Sequence, residues 1–380
     1  MATAAEFDAV IVGAGIAGAS CAHALAPHAK VLLLEREAQP GMHSTGRSAA
    51  MFMESYGPPQ VRALTRASRA WYQRPPAGFA DAPILSPRGA LYAAWQGQEA
   101  ALDELHATLE ATGTVVSRID AEDCVRRVPV LRAAGLLGGV FEVDAMDIDV
   151  HALHQGFLRG AKRAGAVLWT DADLAQARNG NGTWQVTLAD GRSVSARTLI
   201  NAAGAWADDV AQRCGVAPLG IQPKRRSAFT FAAPPGVDSR PWPTVADVGE
   251  SWYFKPDAGQ LLGSPANADP VPAHDVVPEE LDIATGIAAI EERTSLTIRR
   301  PARTWAGLRS FSPDGELVIG WDARRPAFFW LAGQGGYGIQ SAAGAAQLAA
   351  ALWLGAPLPE ALQAQHVQVH ALEPARFGAR

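Results

Sequence analysis

The sequence predicts an α/β chain in two parts: a domain built on a parallel sheet, and a second, α+β domain built on an antiparallel sheet. Three observations carry that expectation. Residues 7–34 read as strand, glycine turn, helix and strand. Two later runs, at 196–206 and 328–340, pass from apolar residues into small residues and glycines, as strands do when they feed loops at one edge of a sheet. Between them, residues 227–231, 251–255 and 259–263 are short strand-like runs parted by Pro, Gly and Asp. A length of 380 residues exceeds one typical domain and can bury a sizeable core.

The first unit can be justified residue by residue. FDAVIV, at 7–12, is β-branched and apolar, as a strand buried on both faces should be. GAGIAG follows at 13–18, then mostly good helix formers over 19–26 and a stop at Pro27. KVLLL, at 30–34, is a second buried strand ending in Glu35, twenty residues after Gly15. Gly13 permits the tight turn, Gly15 lets the backbone approach a pyrophosphate, and Gly18 lets the helix lie close to the strand. With Ile16 and Ala17 they open a helix whose free N–H groups and positive dipole attract phosphate. Glu35 can accept hydrogen bonds from both ribose hydroxyls, and its charge disfavours a 2′-phosphate. The competing explanation is a glycine-rich packing turn beside a surface glutamate. Strand, turn, helix, second strand and terminal acid in register favour a Rossmann-type dinucleotide site.

Composition narrows the class. With 33 basic and 38 acidic residues the net charge is −5, which argues against a broad nucleic-acid surface. Three scattered cysteines, Cys21, Cys124 and Cys214, form no metal-ligand spacing and suit reduced thiols; no metal is expected. Residues 9–26 carry no formal charge, long enough to mimic a membrane span. Their three glycines, His23 and the acidic residues before them count against a span or a signal peptide. No integral membrane segment is expected, and a cytoplasmic place, with peripheral contact at an inner membrane as the variant.

The segment after Glu35 points to FAD rather than NAD. It leads into HSTGRSAAMFM, at 43–53, instead of directly into a helix. A polar loop returning to the cofactor suits FAD, whose second half must be held as well. Ser44, Thr45 and Ser48, followed by Ala49, are expected to meet flavin phosphate or ring atoms, and Arg47 a phosphate. Three of the five methionines, Met42, Met51 and Met53, fall in the same region, so one stretch is expected to touch a polar ligand and then an apolar pocket. The strand at 196–201 runs into Ala203, Gly204 and Trp206, and the strand at 328–332 into Gly333, Gly335, Gly336, Tyr337, Gly338, Ile339 and Gln340. Glycines before the helix at 341–354 make an electropositive platform suited to the pyrimidine carbonyls of a reduced flavin. Arg36, Leu174 and Gly307 complete the expected cofactor contacts. No Cys or His adjoins an attachment motif, so non-covalent FAD is expected.

At these residues the chain resembles the D-amino-acid oxidase/glycine oxidase superfamily of FAD-dependent oxidoreductases, and within it the bacterial D-arginine dehydrogenases, which are broad D-amino-acid dehydrogenases. The shared stretches are LLEREAQPGMHSTGRSAA at 33–50, where Leu34 and Met42 are this chain's own, SPR at 86–88, QPKRRSAF at 222–229, LLGSPANADPV at 261–271, TIRRP at 297–301, TWAGLRSF at 304–311 and QGGYGIQ at 334–340. They span nearly the whole chain. The resemblance implies a discontinuous FAD domain, residues 1–50, 140–215 and 305–380, and a substrate-binding cap, residues 51–139 and 216–304. Within these, 279–293 reads as an amphipathic helix and Asp190-Gly191 as a hairpin turn.

Such an enzyme must fix one carboxylate and one Cα–H relative to flavin N5. Arginine suits the first task because its planar fork pairs with a carboxylate. The resemblance points to Arg226 and Arg309, with the Tyr253 hydroxyl. Arg309 stands in an apolar context, GLRS, where an unpaired guanidinium would be costly; the alternative is a structural ion pair. Arg226 belongs to KRR, ordinarily a solvated run. The resemblance also places Tyr56 on a mobile loop over the pocket, and the Gly336 backbone where a substrate amino group is received. None of the nine histidines stands out as a general base, which suits hydride transfer from an already neutral amine.

The chain also departs from these relatives. They carry a histidine and a threonine at the positions of Met51 and Met53, a glutamate that meets a guanidinium at Ala90, and larger apolar residues at Thr244 and Ala246. The expected pocket, with Tyr337, therefore has no anion at position 90, more methionine surface and more room. Apolar or bulky D-amino acids are expected as substrates, yielding imino acids and then 2-oxo acids and ammonia, with a quinone or other carrier accepting the electrons. Glu54 is the one acid in the same loop that weakens this selectivity. The alternatives are a glycine- or sarcosine-type amine oxidase using O₂, and a flavin-binding protein without turnover.

Overall fold

The computed structural model describes residues 6–378. Phe7–Val12 lies between Val31–Leu34 and Ser193–Asn201, parallel to both. Val167–Trp169 extends the sheet on one side. On the other, Phe328–Ala332 pairs in parallel with the C-terminal part of Ser193–Asn201, while the hairpin Leu174–Gly180 and Thr183–Leu188 takes its N-terminal part. Val318–Trp321 adds one antiparallel edge strand. Alternation along Phe7–Val12 sends Ala9 and Ile11 to one core and Val10 and Val12 to the other. The first core is covered by the helices Ile16–Leu25 and Ala342–Leu354, the second by Ala207–Arg213 and the hairpin. Both faces are thus buried, which is why these strands read as unbroken apolar runs. The uncharged run at 9–26 is strand, turn and helix, and among the described residues no helix is long and apolar enough to cross a membrane.

The second sheet has nine strands. Gln222–Phe231 pairs antiparallel with Arg303–Phe311 on one side and with Gln260–Ser264 and Asp269–Pro270 on the other. The sheet continues through Tyr253–Asp257, Thr244–Asp247, Ala90–Trp95 and Leu136–Glu142 to Val116–Ile119. One pair, Thr244–Asp247 with Ala90–Trp95, is parallel, so the sheet is mixed rather than wholly antiparallel. These strands come from distant segments, and no hairpin ties their directions together. The expected amphipathic helix is Glu280–Arg293.

Three features redraw the expected domain limits. The limit at 140 falls inside Leu136–Glu142, and the limit at 305 inside Arg303–Phe311; both strands belong to the second sheet throughout. A ladder is continuous along a strand, so each strand goes to one domain whole. The helix Pro59–Gln73, expected in the cap, instead buries Val61, Leu64 and Ala67 against Ala342–Leu354 in the first core. Its amphipathic pattern was visible, but not the element that its apolar face would meet.

Candidate active site

A cleft opens at the C-terminal ends of the parallel strands, where a doubly wound sheet leaves room for a ligand. It encloses about 1530 Å³, counting the part open to solvent. Gly13 has φ +100°, and a Cβ there would lie 2.6 Å from the Ala202 carbonyl oxygen. A Cβ on Gly18 would lie 1.8 Å from the Gly13 carbonyl oxygen, so helix and strand meet at backbone contact. Gly18 therefore sits behind the wall that Gly13, Gly15, Ile16 and Ala17 form. Glu35 is buried, and its two oxygens accept the Ala14 and Glu37 N–H groups at 3.0 Å each. Burial pushes its pKa up, against the pull of these bonds. Beside it the Arg36 guanidinium lies 4.9 Å from the Trp206 ring centre. Leu174, Ala203 and Gly204 continue that wall.

Ser44, Thr45, Ser48 and Ala49 line the next stretch. The Ser44 hydroxyl donates to Leu308 O at 2.5 Å, Thr45 Oγ1 accepts Ile16 N–H at 3.0 Å, and Ser48 Oγ accepts Ala50 N–H at 3.1 Å. Arg47 lines the same stretch. Its guanidinium donates to the carbonyls of Met42, Val276 and Ala306 and pairs with Asp275 at 2.6 Å. These contacts tie the loop to the second domain while the residue stays on the cleft wall. Gly307, Gly335, Gly336, Gly338 and Ile339 complete the cleft.

Gly333 and Tyr337 lie off the walls of both cavities. Gly333 turns the chain beside Ser312, and Tyr337 packs edge-on against Tyr56, ring centres 5.0 Å apart. Gln340 is absent from the cleft but reaches the second cavity, where its amide holds Met53 N, Tyr56 O and Thr65 Oγ1.

That second cavity adjoins the first and shares Arg226, Tyr253, Arg309 and Gly336 with it. Met51, Met53, Tyr56, Ala90, Thr244 and Ala246 line it. Tyr92, Trp252, Lys255 and Glu250 line it as well. Strand alternation could have found two of these. Lys255 is two residues from Tyr253 and Tyr92 two from Ala90, so each pair faces one side of its strand. Lys255 is 4% exposed and its Nζ donates to Asp147 Oδ1 at 2.5 Å and to Ala49 O at 3.0 Å. Glu54, the acid expected to face the pocket, is paired with Arg69 at 2.5 Å instead. Exposed Glu250, held at φ +53°, is the carboxylate on the cavity wall.

The charges in this cavity are unbalanced. In the run Lys224-Arg225-Arg226, alternation sends Arg225 and Arg226 to opposite faces. Arg225 is buried against Asp269, Glu279 and Asp282. Arg226 and Arg309 have no acidic partner within 4.0 Å among the described residues. Arg309 Nη1 donates to the Tyr56 hydroxyl at 3.3 Å, and Arg226 Nε donates to the Asn267 carbonyl. Burial and the nearby Arg309 charge push the Arg226 pKa down. Around Arg309, burial opposes the charge, but Tyr56, Tyr253 and Tyr337 outweigh it and hold the pKa up. Two guanidinium groups ringed by phenols, with no carboxylate paired to either, form a receptor for an anion.

The sequence matches the family described as DAO, FAD dependent oxidoreductase, over residues 8–352. The chain belongs to this family. It is 28% identical over 149 residues to mitochondrial dimethylglycine dehydrogenase from Mus musculus, covering 39% of this chain and only 17% of that relative. Glycine oxidase from Geobacillus kaustophilus has the same fold, with a TM-score of 0.80 and 22% identity over 93% of this chain and 96% of that one. So has L-amino acid deaminase from Proteus vulgaris, with a TM-score of 0.82 and 15% identity over 99% of this chain and 98% of that one.

The cofactor of a DAO-family chain is FAD, and the first cleft fits it. Gly13 and Gly15 leave a cradle that any Cβ would narrow, the helix Ile16–Leu25 points its N-terminus at that cradle, and Glu35 stands at the end of the second strand. His154, which the sequence reading passed over, is buried and donates from Nε2 to Ala14 O at 2.8 Å, bracing the turn.

One further acid was missed. Glu142 is 1% exposed and lies across the strand pair from Ala90. Burial pushes its carboxyl up to about 7, with the Ser55 hydrogen bond opposing. A carboxyl whose folded pKa is raised contributes stability below its unfolded value of 4.5 that is lost as pH rises through about 7. Glu142→Gln is therefore expected to match wild type near pH 4.5 and to exceed it by on the order of 3 kcal/mol at pH 8. Thermal melts across that range check it; a constant difference would contradict it.

Proposed function

We propose that the protein oxidises D-amino acids with apolar or bulky side chains to imino acids, which water converts to 2-oxo acids and ammonia. The observation that carries this reading is the pair Arg226 and Arg309, two cations without an acidic partner at the junction of the two cavities. A substrate carboxylate supplies the missing charge, bidentate on one guanidinium and assisted by Tyr56 and Tyr253. When bound, FAD supplies the two-electron acceptor for the Cα–H bond. The chain's own work is orientation: the arginines fix one end of the substrate, and the Gly336 backbone receives the amino group. Met51, Met53, Ala90, Ala246 and Trp252 leave the side-chain space largely apolar.

The handedness rests on the stretches shared with D-amino-acid dehydrogenases. Steady-state release of 2-oxo acid and ammonia, with phenazine methosulfate as acceptor, tests it. D-leucine and D-phenylalanine are expected to turn over, their L-isomers not, and D-arginine poorly. Ala90→Glu is expected to raise kcat/KM for D-arginine about 10- to 100-fold, since a charged hydrogen bond contributes roughly 1.5–3 kcal/mol. Efficient D-arginine turnover by the wild type, abolished by Glu250→Gln, would instead make Glu250 the side-chain anchor. The identity with dimethylglycine dehydrogenase favours a second reading, an N-methylated amino acid, and sarcosine in the same assay decides between them.

A further inference from the structure

We infer that Ser55 and Glu142 are positioning residues for the arginine clamp, acting through Tyr56. This rests on the carboxylate-binding reading of Arg309. The chain between the strand Met51–Phe52 and the helix Pro59–Gln73 carries Met53 and Tyr56 into the substrate cavity, and Tyr56 is the hydroxyl that Arg309 contacts. Its anchors divide between the two domains. Gln340 holds Met53 N and Tyr56 O, and Arg69 holds Glu54; both anchors belong to helix-bearing segments of the first domain. The Ser55 hydroxyl reaches the other way and donates to Glu142 Oε2 at 2.6 Å, on the strand Leu136–Glu142 of the second sheet. Ser55 and Glu142 are 6% and 1% exposed. This bond fixes the loop relative to the sheet that carries Arg226 and Arg309.

Chemistry makes a purely structural role an uneconomical explanation. A buried carboxyl with one neutral side-chain partner costs more than an aliphatic side chain of similar volume would. What the carboxyl supplies is direction: it fixes where the Ser55 oxygen sits, and Ser55 adjoins Tyr56 in the chain. The charged groups facing Glu142 are Glu54 and Asp144, which oppose its ionisation, and Arg69, which favours it.

The test measures the affinity of the holoenzyme for benzoate, a carboxylate that cannot be oxidised at a Cα–H bond, by calorimetry, together with kcat and KM for D-leucine. Ser55→Ala and Glu142→Leu are expected to raise the benzoate Kd and the KM about tenfold, the loss of roughly one hydrogen bond, while kcat changes less than twofold. Ser55→Thr and Glu142→Gln, which keep a hydroxyl and an acceptor, are expected to restore wild-type Kd. A lowered melting temperature with unchanged Kd in Ser55→Ala would overturn the inference and leave a structural bond. If Glu142→Leu gives no folded holoenzyme, the Ser55→Ala and Ser55→Thr pair decides. Arg309→Met serves as the reference: benzoate binding that survives it means that the clamp reading itself has failed, whereas a clamp lost in Arg309→Met but intact in Ser55→Ala sinks only the positioning role.

Discussion

Arg309→Met is expected to lower kcat/KM for the preferred D-amino acid by about 10²–10⁴ while FAD remains bound. The magnitude follows from removing one partner of a buried, hydrogen-bonded charge pair, which costs roughly 3–5 kcal/mol, at about 1.4 kcal/mol per decade of rate. Arg309 is placed for this by the strand Arg303–Phe311, whose neighbour across the ladder is Lys224 and whose exit leads to the Ser310–Gly335 bridge. A Cβ on Gly336 would lie 3.0 Å from Arg309 Nη1, so the guanidinium rests directly on the glycine backbone. Methionine keeps most of that packing and removes the charge. Arg309→Lys is expected to recover at most a tenth of the activity, because an ammonium has no planar fork to match a carboxylate. Kinetics with measured FAD content check both variants. Unchanged KM in Arg309→Met would remove the carboxylate from this site.

Gly18→Ala is expected to abolish FAD retention. The added Cβ would stand 1.8 Å from the Gly13 carbonyl oxygen and 3.3 Å from Ile11 Cγ2. The nearer atom is backbone in the turn that receives the pyrophosphate, so no side chain can yield. The helix Ile16–Leu25 must move away from the strand by more than 1 Å, which forfeits core contacts costing roughly 1–3 kcal/mol and misplaces its N-terminus. Gly180→Ala is the control, with nothing within 4 Å of the added carbon, and is expected to keep wild-type flavin content. Flavin absorbance per protein after purification measures the difference. Full occupancy in Gly18→Ala would show that helix and strand do not need this close approach.

The N-terminal unit was legible in the sequence because its constraints are local. Turn, helix start and terminal acid fall within thirty residues and each has a residue type that serves it alone, as the strand Phe7–Val12 and the helix Ile16–Leu25 show. Long-range pairing was not legible. Nothing in Glu142 or Ser55 marks them as partners across 87 positions, and Arg47 carries no sign that it pairs with Asp275. The domain limits failed for the same reason: the helix Pro59–Gln73 shows an apolar face, not its destination. Arg226 lies between these cases. Its three-residue basic run looks solvated, and only the strand geometry of Gln222–Phe231 separates the ion-paired Arg225 from the unpaired Arg226.

Anaerobic mixing of the holoenzyme with matched D- and L-amino acids, followed by flavin absorbance in a single turnover, tests the central claim most directly. Rapid bleaching by D-leucine and D-phenylalanine, with their L-isomers inert and D-arginine slow, is expected. Bleaching by the L-isomers, or by no amino acid of either hand, would contradict it.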